Sequence, residues 1–330
     1  MKSIFSLPAS PKSPGRAPAA NRVKLPLQIS AGALLALAAL LFVMGACSRH
    51  SDPPPDPLAI HRAALKDAYQ GDVDLAAAAP RYQISVNFPP PGDVLTGSLR
   101  VDLTNTSPDP WPHLVFRLYP MLDQYGGQMA LLSALVNDSP TNFAYQAKSS
   151  AVRVDLPRAL LPGQAAKVEL SWKLTIPRWS NDPAAYALFG ASQEMISLPL
   201  FYPALAVYEP GPAVGTGSWW METGSVRGDA AFNQASLFVV TATLPSDQVP
   251  VATGTRIITH DVGEELTQHV WATGPVREFL LHMSPRFESA SIEAYGTRVT
   301  SYWLPGDEGA GRAALTYAVA ALRFYSDYFG

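Results

Sequence analysis

One pattern dominates the chain from Arg81 onward. Tyr82, Ile84, Val86 and Phe88 alternate with Gln83, Ser85 and Asn87, the period of two that sends successive side chains to opposite faces of a strand. Leu99, Val101 and Leu103 alternate in the same way with Arg100, Asp102 and Thr104. Leu114, Phe116 and Leu118 follow, then Val152, Val154 and Leu156, then Val168, Leu170, Trp172, Leu174 and Ile176 against Glu169, Ser171, Lys173 and Thr175. Later strands read over Leu237–Leu244, Gln268–Ala272, Arg277–Met283 and Arg298–Trp303, while Tyr125–Leu135 reads as an irregular loop with one helical turn. Turn residues separate them, as in Leu160-Leu161-Pro162-Gly163. A chain that repeats half-buried strands this often folds as a mainly β protein, here a large antiparallel β-sandwich or saddle. The 31 prolines among 330 residues fit edge strands, turns and linkers better than long helices.

The run Ile196–Val207 carries Pro199 and Pro203 and opens into a Gly/Pro loop that ends on Trp219 and Trp220. A proline removes a ladder donor, so this run is predicted to be an edge strand or the wall of a cleft. The two tryptophans suit either a stacking platform for a ligand or packing against the core.

The two ends differ from the body. Residues 1–46 hold Lys2, Lys12, Arg16, Arg22 and Lys24 and no acidic residue. The remainder carries 19 basic against 27 acidic residues, so the overall −3 conceals a body of −8. An acidic body lacks the basic footprint that displaces counterions, and a nucleic-acid partner is not expected. No side chain from Ile29 to Ala46 is charged, 18 residues in all, which is the lower limit for a membrane-crossing helix. Basic residues precede it, which predicts an N-terminus on the inner, cytoplasmic side of the membrane. The run ends in Met44-Gly45-Ala46-Cys47, with the one cysteine of the chain. Small residues before a Cys resemble the lipobox of bacterial lipoproteins, with Met44 in place of the usual Leu. Residues 1–47 therefore form a signal or anchor segment, an N-terminal hydrophobic anchor helix in which Cys47 is the candidate lipidation site. Either form leaves the body anchored to a bacterial cell membrane on its extracytoplasmic side. Residues 48–80 are a Pro-rich tether and a short helix, with Asp56 placed to cap it and Pro57 at its first position. At the other end Leu315, Ala318, Leu322, Tyr325 and Phe329 are spaced as the apolar stripe of an amphipathic helix, with no second helix to cover it.

Most catalytic chemistries lack their residues. There is no His-Glu-x-x-His, no Gly-x-Ser-x-Gly elbow, no phosphate loop and no dinucleotide fingerprint. His260, Glu264 and His269 come nearest to a metal set, but a helical zinc pair needs histidines four apart and these are nine apart across Gly263. Asn105-Thr106-Ser107 has the form of a glycosylation sequon.

Several segments in order resemble the gluzincin aminopeptidases, the group of membrane alanyl aminopeptidase and leukotriene A hydrolase. They are Leu95-Thr96-Gly97 followed by Val101-Asp102-Leu103-Thr104-Asn105; Phe116-Arg117-Leu118-Tyr119-Pro120 with Tyr125-Gly126-Gly127; and Leu161-Pro162-Gly163 before the Trp172 strand. Phe201-Tyr202-Pro203, Gly228-Asp229, Leu244-Pro245 before Ala252-Thr253-Gly254, and the last helix with Phe324-Tyr325 and Tyr328-Phe329-Gly330 complete the series. The resemblance runs from about Arg81 to Gly330. It implies an aminopeptidase-like N-terminal β domain over 81–288, then over 289–330 the first strand and helix of a truncated, thermolysin-like α/β catalytic domain. Zinc ligands and the general base would all follow that helix. This chain is then expected to hold no cofactor and to be inactive alone, with zinc and a peptide substrate belonging to a full-length protein. The family also implies that an acidic or amide side chain ahead of the proline-bearing strand holds the substrate's α-amine. Glu194, nine residues before Pro203, and its neighbour Gln193 match that position. The function so implied is the non-catalytic, cleft-shaping portion of a membrane-anchored zinc aminopeptidase-like protein. The alternative is a free-standing surface lipoprotein β module that binds peptide or glycan.

Overall fold

The computed structural model describes residues 56–88, 92–179, 188–192, 194–221 and 231–329. Cys47, the hydrophobic segment before it, Gln193, Gly228-Asp229 and Gly330 lie outside the described residues. No helix among the described residues is long and apolar enough to cross a membrane.

Two short helices come first, α1 (Ala59–Ala63) and α2 (Asp72–Leu75). Strands β1 (Arg81–Asn87), β2 (Val94–Thr104), β3 (Trp111–Arg117), β4 (Gln128–Val136), β5 (Ser139–Pro140), β6 (Phe143–Gln146), β7 (Ala151–Leu160) and β8 (Ala165–Thr175) follow. Beyond them lie β9 (Gly190–Ala191), β10 (Ile196–Pro199), β11 (Ala204–Leu205), β12 (Tyr208–Glu209) and β13 (Ser218–Trp219). Then come β14 (Leu237–Pro245), β15 (Val249–Ala252), β16 (Thr255–Gly263), β17 (Leu266–Ala272) and β18 (Leu280–Ser284). The series ends with β19 (Glu288–Ala294), β20 (Thr297–Trp303) and the helix α3 (Glu308–Phe329).

The largest sheet runs β16-β17-β14-β1-β2-β8-β4-β5. It is mixed rather than wholly antiparallel, because β1 pairs in parallel with β14, Ile84 opposite Val240. The other neighbours are antiparallel, and the β2–β8 pairing extends from Val94–Thr175 to Thr104–Ala165. Two four-stranded sheets, β15-β18-β10-β9 and β11-β3-β7-β6, contribute to the same core. Aromatic rings join the three sheets. Tyr82 stacks on Phe238 at 4.8 Å between centroids, and Tyr202 meets both edge-on. The Tyr82 hydroxyl accepts the Leu205 N–H and that of Tyr202 accepts the Phe279 N–H, at 2.9 and 3.1 Å. Burial of the phenol pushes the Tyr82 pKa far up, so both groups serve here as neutral hydrogen-bonding partners.

Two sequence motifs owe their residues to packing. The indole of Trp172 is fully buried and lies across Gly97, where a Cβ would come within 2.3 Å of the ring. Asn105 is fully buried: its amide donates to the carbonyls of Asp109 and Leu160, and its oxygen accepts the N–H and hydroxyl of Ser107. The sequon is thus the inner face of a closed turn.

Several expectations need correction. Tyr125–Leu135 is not an irregular loop, since most of it is β4, paired to β8 along its length with one irregularity between Leu131 and Ser133. The proline-bearing run is not one edge strand. Pro199 ends β10, which lies between β18 and β9; Leu200 turns the chain with φ +50°, and Pro203 immediately precedes β11 at the edge of another sheet. Each proline sits where no ladder donor is required. The short helix expected after the tether is present, and it packs on the domain: buried His61 places Nδ1 2.8 Å from the Thr273 carbonyl, and Leu65 covers Gly274.

The final elements have a small hydrophobic cluster of their own. A regular hairpin, β19–β20, replaces the single strand expected before the helix, and α3 packs on it through Leu315 and Val319 around Ala294. Gly311 permits the approach, because a Cβ there would lie 2.3 Å from the Trp303 ring. The expected stripe shares only Leu315 and Leu322 with the packed face. The hairpin covers one face of the helix as far as Leu322, and the Tyr295 hydroxyl donates to Asp327 in the last turn; Tyr325 and Phe329 stay exposed with Tyr317, Phe324 and Tyr328.

Candidate functional site

Glu194 lies in the tight turn between β9 and β10. Ser192 builds that turn: its hydroxyl accepts the N–H groups of Glu194 and Met195, both at 3.0 Å, and its own N–H donates to the Met195 carbonyl at 2.9 Å. The Ser192 carbonyl is held in turn by Arg178, itself paired with Asp93. From the other side the hydroxyl of Ser284, a fully buried residue at the end of β18, donates to the Glu194 carbonyl and accepts the Arg286 N–H. The backbone at Glu194 is therefore fixed, while its carboxylate is half-exposed and paired with the guanidinium of Arg286. An ion pair this exposed contributes about 0–1 kcal/mol, so a competing ammonium could displace Arg286 at little cost.

The chain neighbours of this pair, Met195 and Phe287, line a groove of about 680 Å³. Val251 and His282 supply more of that wall; the opposite wall is the consecutive stretch Thr300–Leu304, with Asp307 and Ala310 at the start of α3. The walls are mostly apolar. His282 sits on β18 between Ser197 and Val251 on the flanking strands. Its Nδ1 is buried without a partner among the described residues, and burial lowers its pKa below the ordinary 6.5, which keeps the ring neutral. Sequence reasoning missed Arg286, Ser284 and His282. Nothing in the local sequence marks them, because the pairing of β10 with β18 brings them beside Glu194.

The remaining candidates are structural. His260 and His269 occupy the β16–β17 hairpin, whose turn is Glu264-Glu265, both with positive φ. His269 faces Thr259 across the ladder and His260 faces Gln268, so the two imidazoles point to opposite faces. His269 is buried against Trp271, its Nδ1 3.2 Å from the Thr259 hydroxyl. These residues do not fit a zinc site, and no group of three His, Cys, Asp or Glu side chains among the described residues could hold a metal. Trp219 is buried against Trp111 and Tyr208 at 4.9 and 5.0 Å, and Trp220 lies 4.7 Å over the buried guanidinium of Arg117. Trp219 packs the interior, and half-buried Trp220 is engaged by Arg117 and, edge-on at 5.3 Å, by Phe232. Asp109, also buried, accepts the Gly215 N–H and, at 2.7 Å, the Tyr208 hydroxyl, bonds that hold its carboxyl below the ordinary 3.8; burial, with the Asp109 bond added, pushes the Tyr208 phenol up to about 12.

The described residues thus define a mainly β protein of several sheets with a C-terminal helix. No protein-family model and no curated protein sequence matches the chain. Among solved structures, the M1 zinc metallopeptidase from Deinococcus radiodurans is similar at 17% identity and TM-score 0.46, over 69% of this chain and 48% of that one. A two-domain M1 zinc metallopeptidase mutant bound to L-arginine is similar at 17% identity and TM-score 0.46, over 70% of this chain and 51% of that one. The chain spans about half the length of these structures.

Proposed function

We propose that this chain is the N-terminal, non-catalytic portion of a membrane-anchored zinc aminopeptidase-like protein, and that it shapes one wall of a peptide-substrate cleft. The reading is supported by the ordered gluzincin-like segments from Arg81 onward. The observation that carries it is the change of architecture at residue 288. There a multi-sheet β body gives way to a hairpin and helix with a small core of their own, and that helix exposes Tyr317, Phe324, Tyr325, Tyr328 and Phe329. Five aromatic side chains along one exposed helix call for a packing partner, which a following catalytic segment would provide. In this reading Glu194, with Gln193, holds the α-amine of a peptide at the rim of the groove, and the ion pair with Arg286 positions the carboxylate until the ammonium arrives. Zinc and the residues that activate water belong to the following segment. The N-terminal segment, with Cys47 as acyl acceptor, holds the body on the extracytoplasmic face of a bacterial membrane.

The test has two arms. The coding sequence after codon 330 is expected to continue into a His-Glu-x-x-His helix, and the product of that longer frame to bind one zinc and release aminoacyl chromophores in a chelator-sensitive way. The 330-residue chain alone is expected to release none. A stop codon directly after codon 330, or chelator-sensitive release by the pure 330-residue chain, overturns the proposal.

A further inference from the structure

We propose that the cleft between the segment after α1 and the end of β17 is a binding site for a small zwitterion with an apolar side chain, a free amino acid of the phenylalanine type. The cleft measures about 660 Å³, a size typical of small-molecule sites. Its two walls come from distant parts of the chain. Ala64, Leu65, Lys66, Tyr69 and Asp72 form one; Gly254, Thr255 and residues 272–276 form the other. The walls are fastened to each other. The Thr255 hydroxyl donates to the Ala64 carbonyl at 2.7 Å, His61 meets the Thr273 carbonyl at 2.8 Å, and Leu65 lies against Gly274, where a Cβ would come within 2.8 Å of it. Leu65, Ala272, Pro275 and Val276 make the lining mostly apolar.

Two charges of opposite sign, Lys66 and Asp72, line this apolar space, and neither makes an ion pair among the described residues. Lys66 donates to the neutral hydroxyl of Thr297. An ammonium bonded once still has two N–H groups to offer. The other charges nearby do not answer these two. Arg62 is paired with Asp56 and Asp74. Arg81 lines a separate depression, and Asp67, Arg256 and Arg277 adjoin the cleft in sequence without lining it. A ligand with a single charge would leave one of the pair unmatched. A zwitterion meets both, with its carboxylate on Lys66, its ammonium on Asp72 and its side chain along the apolar wall, where half-exposed Tyr69 stands at the rim. Such a ligand also ties the N-terminal segment to the body, because it touches both walls. The site lies apart from the groove beside Glu194 and requires no part of the metallopeptidase reading.

The experiment uses the full chain in lipid nanodiscs and tritiated L-phenylalanine in equilibrium dialysis. Saturable binding is expected. Phenethylamine, which lacks the carboxylate, and hydrocinnamate, which lacks the ammonium, are expected to compete at least about tenfold less well than unlabelled L-phenylalanine. Lys66→Gln should bring L-phenylalanine down to the level of phenethylamine and keep its advantage over hydrocinnamate; Asp72→Asn should do the converse. Saturating L-phenylalanine should also slow proteolytic cleavage near Lys66, since the bound form holds the segment in place. Absence of saturable binding at millimolar concentration overturns the proposal, as does either analogue competing as well as L-phenylalanine. Variants that weaken all three ligands equally overturn it too, because the two side chains would then act only on the shape of the cleft. Should either variant fail to fold, competition on the unaltered chain decides alone.

Discussion

At the scale of single residues, two positions that the sequence offers as family-like motif letters are set by packing. Gly97 is required because Trp172 occupies the space of its Cβ, with ring atoms at 2.3 to 2.8 Å. Gly97→Ala forces the indole or the β2 backbone to move in a filled core, and a loss of about 1–3 kcal/mol is expected in urea unfolding. Gly71→Ala is the control: nothing lies within 4 Å of a Cβ there and φ is −66°, so its effect should stay within about 0.5 kcal/mol. Equal effects of the two substitutions would refute the steric account. Asn105→Ala leaves two carbonyls and the Ser107 N–H without their partner inside the fold. A loss of about 2–4 kcal/mol is expected, with no glycan found on the wild-type residue by intact mass.

At the scale of elements, docking of α1 is coupled to pH through His61. Burial lowers the pKa of this ring below 6.5, aided by the nearby charge of Arg81 and opposed by the bond to the Thr273 carbonyl. The undocked segment therefore takes up a proton more readily than the docked one. The contribution of His61 to docking is complete above pH 6.5 and falls away as pH drops toward the lowered folded value. Proteolysis near Lys66 should accelerate between pH 7 and pH 5, and His61→Gln should flatten that dependence; an unchanged slope in the variant would exclude His61 as the cause. The elements themselves were legible where alternation is strict: β1, β2, β8, β14 and β17 lie close to where the sequence puts them. β4 was missed because Gly126-Gly127 and the run Met129–Leu132 blur the period, and pairing with β8 decides its conformation. The parallel pairing of β1 with β14 joins residues more than 150 positions apart and leaves no local mark. The same limit applies to the candidate site. Glu194 was picked out by its spacing from Pro203, but its partner Arg286 is brought to it only by the β10–β18 ladder.

At the scale of the whole molecule, the described residues hold two hydrophobic clusters of very different size, the smaller one beyond residue 288. The main core contains the aromatic junction of three sheets, whereas the hairpin and α3 bury Ala294, Trp303, Gly311, Leu315 and Val319, with Ala290, Val299 and Leu322 partly covered. Stability follows buried apolar area, and a cluster this small cannot match the main core. The terminal unit should therefore open on its own, before global unfolding. In native-state hydrogen exchange the amides of 315–322 are expected to exchange at least about tenfold faster than those of Ile84, Leu99 and Leu170, and low denaturant should widen the gap little because local opening exposes little new surface. Uniform protection across both sets would mean that α3 belongs to a single cooperative unit and that its exposed aromatic face needs no partner. If the partner is a catalytic segment, as proposed, the same amides in the longer product should slow to the rate of the main core, because covering Phe324, Tyr325, Tyr328 and Phe329 joins the helix to a second core. The two measurements use one observable on two lengths of chain. Together they separate a helix that is weakly held by nature from one that lacks the surface it evolved to meet.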